Sequence, residues 1–133
     1  MDYKIIHLNK FSDQRGELIV FMKESDLDNN FKKLGQVYFV TFKKKGIVRG
    51  NHYHKKWREW FGIVSGKVEV FLKDVKTGEE KKLILDANSG KYKRLEIGPY
   101  IAHAFKSLSS NAALLNYADK EWSKKDSIFY KLI

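Results

Sequence analysis

The sequence predicts an all-β, antiparallel protein. Short runs rich in Val, Ile, Phe and Tyr recur along the 133 residues with turn residues between them, the pattern of a sandwich or barrel, whereas helical signals are scarce. Two successive strand–turn–strand units in the middle of the chain make the pairing antiparallel. Taken in order, Lys4–Leu8 is the first apolar run, and Glu17–Met22 follows the turn residues of "SDQRG". "SDLDNNFKK" (25–33) reads as a brief helix, with Ser25 as cap and Asp26 and Asp28 in the first turn. Strands are then expected at Gln36–Phe42, Trp60–Val64, Lys67–Leu72, Lys81–Leu85, Arg94–Ile97 and Ala112–Ala118. "VSGK" (64–67) reads as a tight hairpin turn and "DVKTGEE" (74–80) as a longer hairpin loop. Within Lys67–Leu72 and its continuation, Val68, Val70 and Leu72 point one way, and Lys67, Glu69, Phe71 and Lys73 the other. An aromatic on the polar side suggests a second buried surface, and a homodimer is expected.

The length suits one domain, residues 1–133, able to bury a core without staples. With no cysteine, disulfides and thiolate metal sites are excluded, so any metal must sit on nitrogen and oxygen. The N-terminus has no basic segment followed by an apolar one, and no apolar run approaches the length of a membrane span, so a cytoplasmic protein without membrane association is expected. The formal net charge of +10 favours an anionic partner. The excess is mostly scattered lysine, with arginine only at 15, 49, 58 and 94, and no recognition helix, zinc-finger spacing or stacking platform is present. Nucleic acid is not expected as the partner.

"GIVRGNHYHKKWREWFGIVSG" (46–66) concentrates the chemistry. His52 and His54 are two apart, so a strand directs both imidazoles to one side. Glu59 can face them only if "KKWR" contains a turn. Farther on, "IGPYIAHAF" sets His103 beyond the sole proline, at an expected strand end or loop. Three imidazoles and a carboxylate thus become candidate neighbours. His7 carries no expected role, and Trp57 and Trp60 are read first as packing residues, with stacking on a thymine or sugar ring as the functional alternative.

The ordered set Gly46, five residues, His52-x-His54, four residues, Glu59, six residues, Gly66 resembles the first motif of the cupin superfamily. Pro99 and His103 resemble its second motif, one residue shorter than usual and lacking the asparagine after the histidine. The resemblance implies an antiparallel jelly-roll barrel with the site in its mouth. Within the superfamily, "FSDQRGEL", "VYFV", "RGNHYHKK" and "IGPYIAH" are similar to the 3,4-ketoisomerases of dTDP-4-keto-6-deoxyglucose, and "GIVRGNHYH" and "IAHAFKSLS" to the related dTDP-4-dehydrorhamnose 3,5-epimerases.

The resemblance implies an isomerase acting on a nucleotide-diphosphate sugar in surface-polysaccharide synthesis, with no cofactor. His52 and His54 would move a proton between C3 and C4, and Tyr38 would assist. Arg49, Arg15, Lys55 and His103 would bind the substrate, the guanidinium groups holding the diphosphate. Retention of His54, where the epimerases have glutamine, favours ketoisomerase. Glu121 and Trp122, where the epimerases place a catalytic tyrosine, point the same way. Glu59, the metal-ligand position of ordinary cupins, supports an alternative: His52, His54, Glu59 and His103 as a site for zinc, manganese, iron or nickel. A non-catalytic sugar-nucleotide binding protein is the other alternative.

Overall fold

The computed structural model describes residues 1–27 and 34–133. The strands are β1 (Tyr3–Leu8), β2 (Lys10–Asp13), β3 (Gly16–Ile19), β4 (Gln36–Phe42), β5 (Val48–Tyr53), β6 (Glu59–Ser65), β7 (Lys67–Asp74), β8 (Glu80–Asp86), β9 (Tyr92–Ile97), β10 (Ile101–Ser107), β11 (Ala112–Ala118) and β12 (Ile128–Phe129). They form two five-stranded sheets, ordered β1-β9-β6-β11-β4 and β12-β5-β10-β7-β8, and a separate β2-β3 hairpin. Every pairing in these sheets is antiparallel. The strands from β4 to β11 pass between the two sheets at every connection except the β7–β8 hairpin, the order of a jelly roll.

The core lies between the two sheets. Along β7 the expected alternation holds: Val68, Val70 and Leu72 are buried, and the Lys82 ammonium sits 5.0 Å from the centre of the outward Phe71 ring. These residues join Phe42, Phe61, Ile63, Leu95, Ile97, Phe105 and Leu114 in one apolar cluster. No helix among the described residues is long and apolar enough to cross a membrane.

Several expectations change. "VSGK" is not a hairpin turn: β6 belongs to the first sheet and β7 to the second, so Gly66, at φ +72°, turns a corner between sheets. The "DVKTGEE" segment does join a paired hairpin, β7–β8. The strand expected at Glu17–Met22 runs from Gly16 to Ile19, after which Phe21 packs across the outer face, close to Gly62. Instead of a helix opening on Ser25, a 3₁₀ turn spans Glu24–Asp26, its start held by the Asp26 carboxylate accepting from Lys23 N at 2.9 Å. The rest of that expected helix, 28–33, lies outside the described residues. β10 is a full central strand rather than a strand end or loop, and its first five residues are all buried, which removes the alternation by which a strand is recognised.

Candidate active site

β5 and β10 bring the histidines together. His52 lies directly opposite His103 in the antiparallel register, with a bulge between His103 and Ala104. Gly50, at φ +92°, allows this close approach: a Cβ there would stand 2.7 Å from the His103 carbonyl oxygen. The ring centroids of His52 and His103 are 4.7 Å apart, those of His52 and His54 5.0 Å, and those of His54 and His103 6.0 Å. The i, i+2 spacing therefore does place both motif histidines on one side. Beyond β5 the chain crosses to the other sheet, so the required turn exists and Glu59, first in β6, faces back. Its Oε2 is 3.8 Å from His54 Nε2 and 3.6 Å from His103 Nε2.

Hydrogen bonding fixes the tautomers of two rings. Because a carbonyl only accepts, Nδ1 of His54 donates to Asp126 O at 2.5 Å and Nδ1 of His103 to Ile101 O at 3.2 Å. Each Nε2 then directs a lone pair toward Glu59, an arrangement that calls for a proton or a cation between them. Burial pushes the Glu59 carboxyl up to about 8, opposed by the Asn116 amide, whose Nδ2 donates to Oε1 at 3.4 Å. Desolvation drives His52 down to about 4, with the His54 charge adding to it, and desolvation also lowers His54 and His103. At neutral pH the imidazoles are uncharged and Glu59 holds its proton.

A cavity of about 130 Å³ opens on this cluster, walled by Tyr38, Arg49, His52, His103 and Asn116 on its polar side and by Phe61, Phe105 and Leu114 on its apolar side. Arg49 is exposed at the mouth, its Nε donating to Thr41 O at 3.0 Å. Desolvation of its hydroxyl raises the Tyr38 phenol, so it stays protonated at neutral pH. The site thus offers an uncharged base, a phenol donor and a cation around one small hollow, equipment for moving a proton beside a carbonyl.

The family described as FdtA: WxcM-like, C-terminal matches residues 1–131. The chain belongs to that family. A TDP-4-oxo-6-deoxy-alpha-D-glucose-3,4-oxoisomerase of Aneurinibacillus thermoaerophilus is 27% identical over 129 residues, covering 96% of this chain and 86% of its own length. A mutant of the 3,4-ketoisomerase QdtA from Thermoanaerobacterium thermosaccharolyticum, solved with TDP-4-keto-6-deoxyglucose, gives a TM-score of 0.78 at 26% identity over 96% of this chain and 86% of that one. A dTDP-4-dehydrorhamnose 3,5-epimerase of Bacillus anthracis shares the fold, with a TM-score of 0.82 at 18% identity over 95% and 77%.

Within this FdtA-family chain, Tyr38, Arg49, His52 and His103 meet at the cavity. His54 stands one layer behind, buried and stacked on Trp57 with centroids 4.2 Å apart and planes 8° off parallel. Trp57 and Trp60 are both buried, so they pack and present no face to a ligand. Arg15 does not line the cavity: its side chain is 86% exposed at the tip of the β2–β3 hairpin, paired with Asp13 at 2.7 Å. Lys55 is exposed on the turn after β5, also away from the cavity lining. Two contributors went unnoticed in the sequence. Asn116 was visible in principle, as the polar residue at an inward position of the apolar strand "AALLNYA". Asp126 gave no signal, since nothing local links it to His54, 72 residues away.

Proposed function

We propose that this chain catalyses 3,4-ketoisomerisation of a dTDP-linked 4-keto-6-deoxy sugar, a step of surface-polysaccharide synthesis in the cytoplasm. The observation that carries this is an uncharged imidazole, His52, open to a cavity that also presents Tyr38 and Arg49. The curated 3,4-oxoisomerase relative and the ketoisomerase structures add the substrate class.

The C4 carbonyl acidifies the C3 hydrogen. His52 takes that proton, and negative charge develops on the former keto oxygen, where the Tyr38 hydroxyl stabilises it. The proton of the C3 hydroxyl passes to the oxygen on C4 and His52 returns its proton to the C4 carbon, leaving the carbonyl at C3 and a hydroxyl at C4 with atoms and electrons unchanged in number. The weak basicity that desolvation gives His52 suits the return step. The diphosphate and the charge developing on the keto oxygen raise His52 for the abstraction. His54 acts as the partner behind His52, and His103 orients the reacting carbons from the opposite strand. Arg49, at the mouth, holds the diphosphate, and Arg15 and Lys55 assist only by reorienting toward it.

A homodimer belongs to the same proposal. Among the described residues β4 pairs with β11 alone and forms the edge of its sheet, and Val37 and Phe39 on it are exposed, Phe39 to 72%. An open, apolar edge strand is a template for a second copy.

The test is exchange of the C3 hydrogen in deuterated water, followed by proton NMR on dTDP-4-keto-6-deoxyglucose. Exchange is expected from the wild type and a loss of about a hundredfold or more from His52→Ala. A folded wild-type protein that exchanges no dTDP-4-keto sugar refutes the assignment.

A second reading rests on the converging Nε2 lone pairs. The ligand atoms of His52, His54 and His103 all lie within 4.8 Å of one another, a donor set that suits a divalent metal after slight contraction. The three imidazoles would hold zinc, manganese, iron or nickel, with Glu59 as fourth ligand, and the ion would polarise the keto oxygen as a Lewis acid. Stoichiometric metal in chelator-free protein, lost in both His52→Ala and Glu59→Ala, would favour this reading over the metal-free one.

A further inference from the structure

Residues 124–133 run back along β5, the strand that carries His52. β12 places Ile128 opposite Tyr53 and Phe129 opposite His52, and Tyr130 N donates to Asn51 O at 2.8 Å. The Asn51 side chain closes the far end of this strap. Its Oδ1 accepts from Leu132 N at 2.8 Å and Ile133 N at 3.3 Å, and its Nδ2 donates to Ile133 O at 3.1 Å. Asn51 is held at φ +59°, a left-handed conformation asparagine tolerates.

At the near end lies Asp126, a buried carboxylate within a 3₁₀ turn. It accepts from Lys55 N at 2.9 Å and Lys56 N at 3.1 Å, the two residues that follow His54. Its own main-chain carbonyl accepts the His54 Nδ1 proton. One residue therefore grips the turn that leaves the histidine strand and the ring that stands on it. Asp126 does not line the cavity, and its carboxylate satisfies no group other than these amides among the described residues.

We propose that Asp126 is a positioning residue for the isomerase, holding His54 in a single tautomer and orientation so that Nε2 faces the cluster while His52 faces the cavity. Misplacing a reacting group by an ångström is enough to cost about a hundredfold in rate. A buried loop contact of this kind also stabilises the fold, so stability alone does not separate the two roles. The inference rests on the acid–base reading of the site, and its test has one arm that needs no substrate.

In protein carrying ¹⁵N-labelled histidine, the long-range ¹H–¹⁵N spectrum reports which ring nitrogen of His54 bears the proton. The wild type is expected to show Nδ1–H, and Asp126→Ala a mixture of tautomers. In turnover, Asp126→Ala is expected to lower kcat by about ten- to a hundredfold with KM changed less than about twofold. Asp126→Asn keeps one acceptor oxygen but turns its amide toward one of the two donors. It should fall between the wild type and Asp126→Ala in both readouts, and it decides the matter alone if the alanine variant does not fold. A folded variant with wild-type His54 tautomer and wild-type kcat overturns the proposal. A wild type without C3 exchange rejects the isomerase reading, and the tautomer spectrum then still decides whether Asp126 sets the ring.

Discussion

Replacing Glu59 by glutamine tests the electrostatics of the site without any substrate. The carboxyl is 2% exposed, faces two imidazole lone pairs at 3.6 and 3.8 Å, and is pushed up to about 8 by burial against an ordinary value of 4.5. A folded-state pKa above the unfolded one means that the native protein binds more protons in between. Glu59 therefore contributes stability that is fully present below the unfolded value and is lost as pH rises through the folded one. Integrating that proton difference from about pH 6 to about pH 9 gives a loss of about 3 kcal/mol, and the full span from 4.5 to 8 corresponds to about 5 kcal/mol. The lowered histidines act with the opposite sign, losing stability as pH falls below their unfolded value. From pH 6 upward these lowered imidazoles are already largely neutral in the folded protein, so the comparison reports mainly Glu59. Urea unfolding followed by tryptophan fluorescence at several pH values gives the two stability curves. The wild type should lose about 3 kcal/mol relative to Glu59→Gln over that range. Parallel curves would show that Glu59 is ionised throughout, and the assignment of a shared proton in the cluster would be wrong.

Two other substitutions probe the frame of the site. Gly50→Ala forces a Cβ to 2.7 Å from the His103 carbonyl at a φ of +92°. It is expected to cost about 2–4 kcal/mol in denaturant unfolding and to slow C3 exchange, and a change below about 0.5 kcal/mol would mean that the β5–β10 approach is looser than described. Phe39→Lys, at the exposed edge strand, should leave the fold intact and convert a dimer to a monomer in light scattering. An unchanged molar mass would move the proposed interface elsewhere.

What the sequence made legible followed from local rules. Period-two alternation identified β7, whose inner face is apolar and outer face polar, and the i, i+2 spacing put His52 and His54 on one side. β10 escaped because its first five residues, Ile101 to Phe105, are all buried, so neither polarity nor alternation marks it. The hairpin expected at Gly66 failed for a different reason: a glycine at positive φ signals a sharp change of direction but does not say whether the next strand stays in the same sheet.

The division of labour among the histidines could not be read from spacing at all. His52 and His54 share a face, yet only His52 meets the cavity, and its companion on the wall is His103, from a strand about fifty residues later. That pairing depends on the register between β5 and β10, on the bulge after His103, and on a glycine that lets the backbones approach. His54 is drawn back by Trp57 on its face and by Asp126 on its Nδ1, both contacts made outside β5. A motif therefore specifies which groups are available and which side of a strand they occupy. Which of them reaches the substrate is decided by the strands and straps packed against that motif, so a variant at Gly50 or Asp126 should change the site while leaving all three histidines in place.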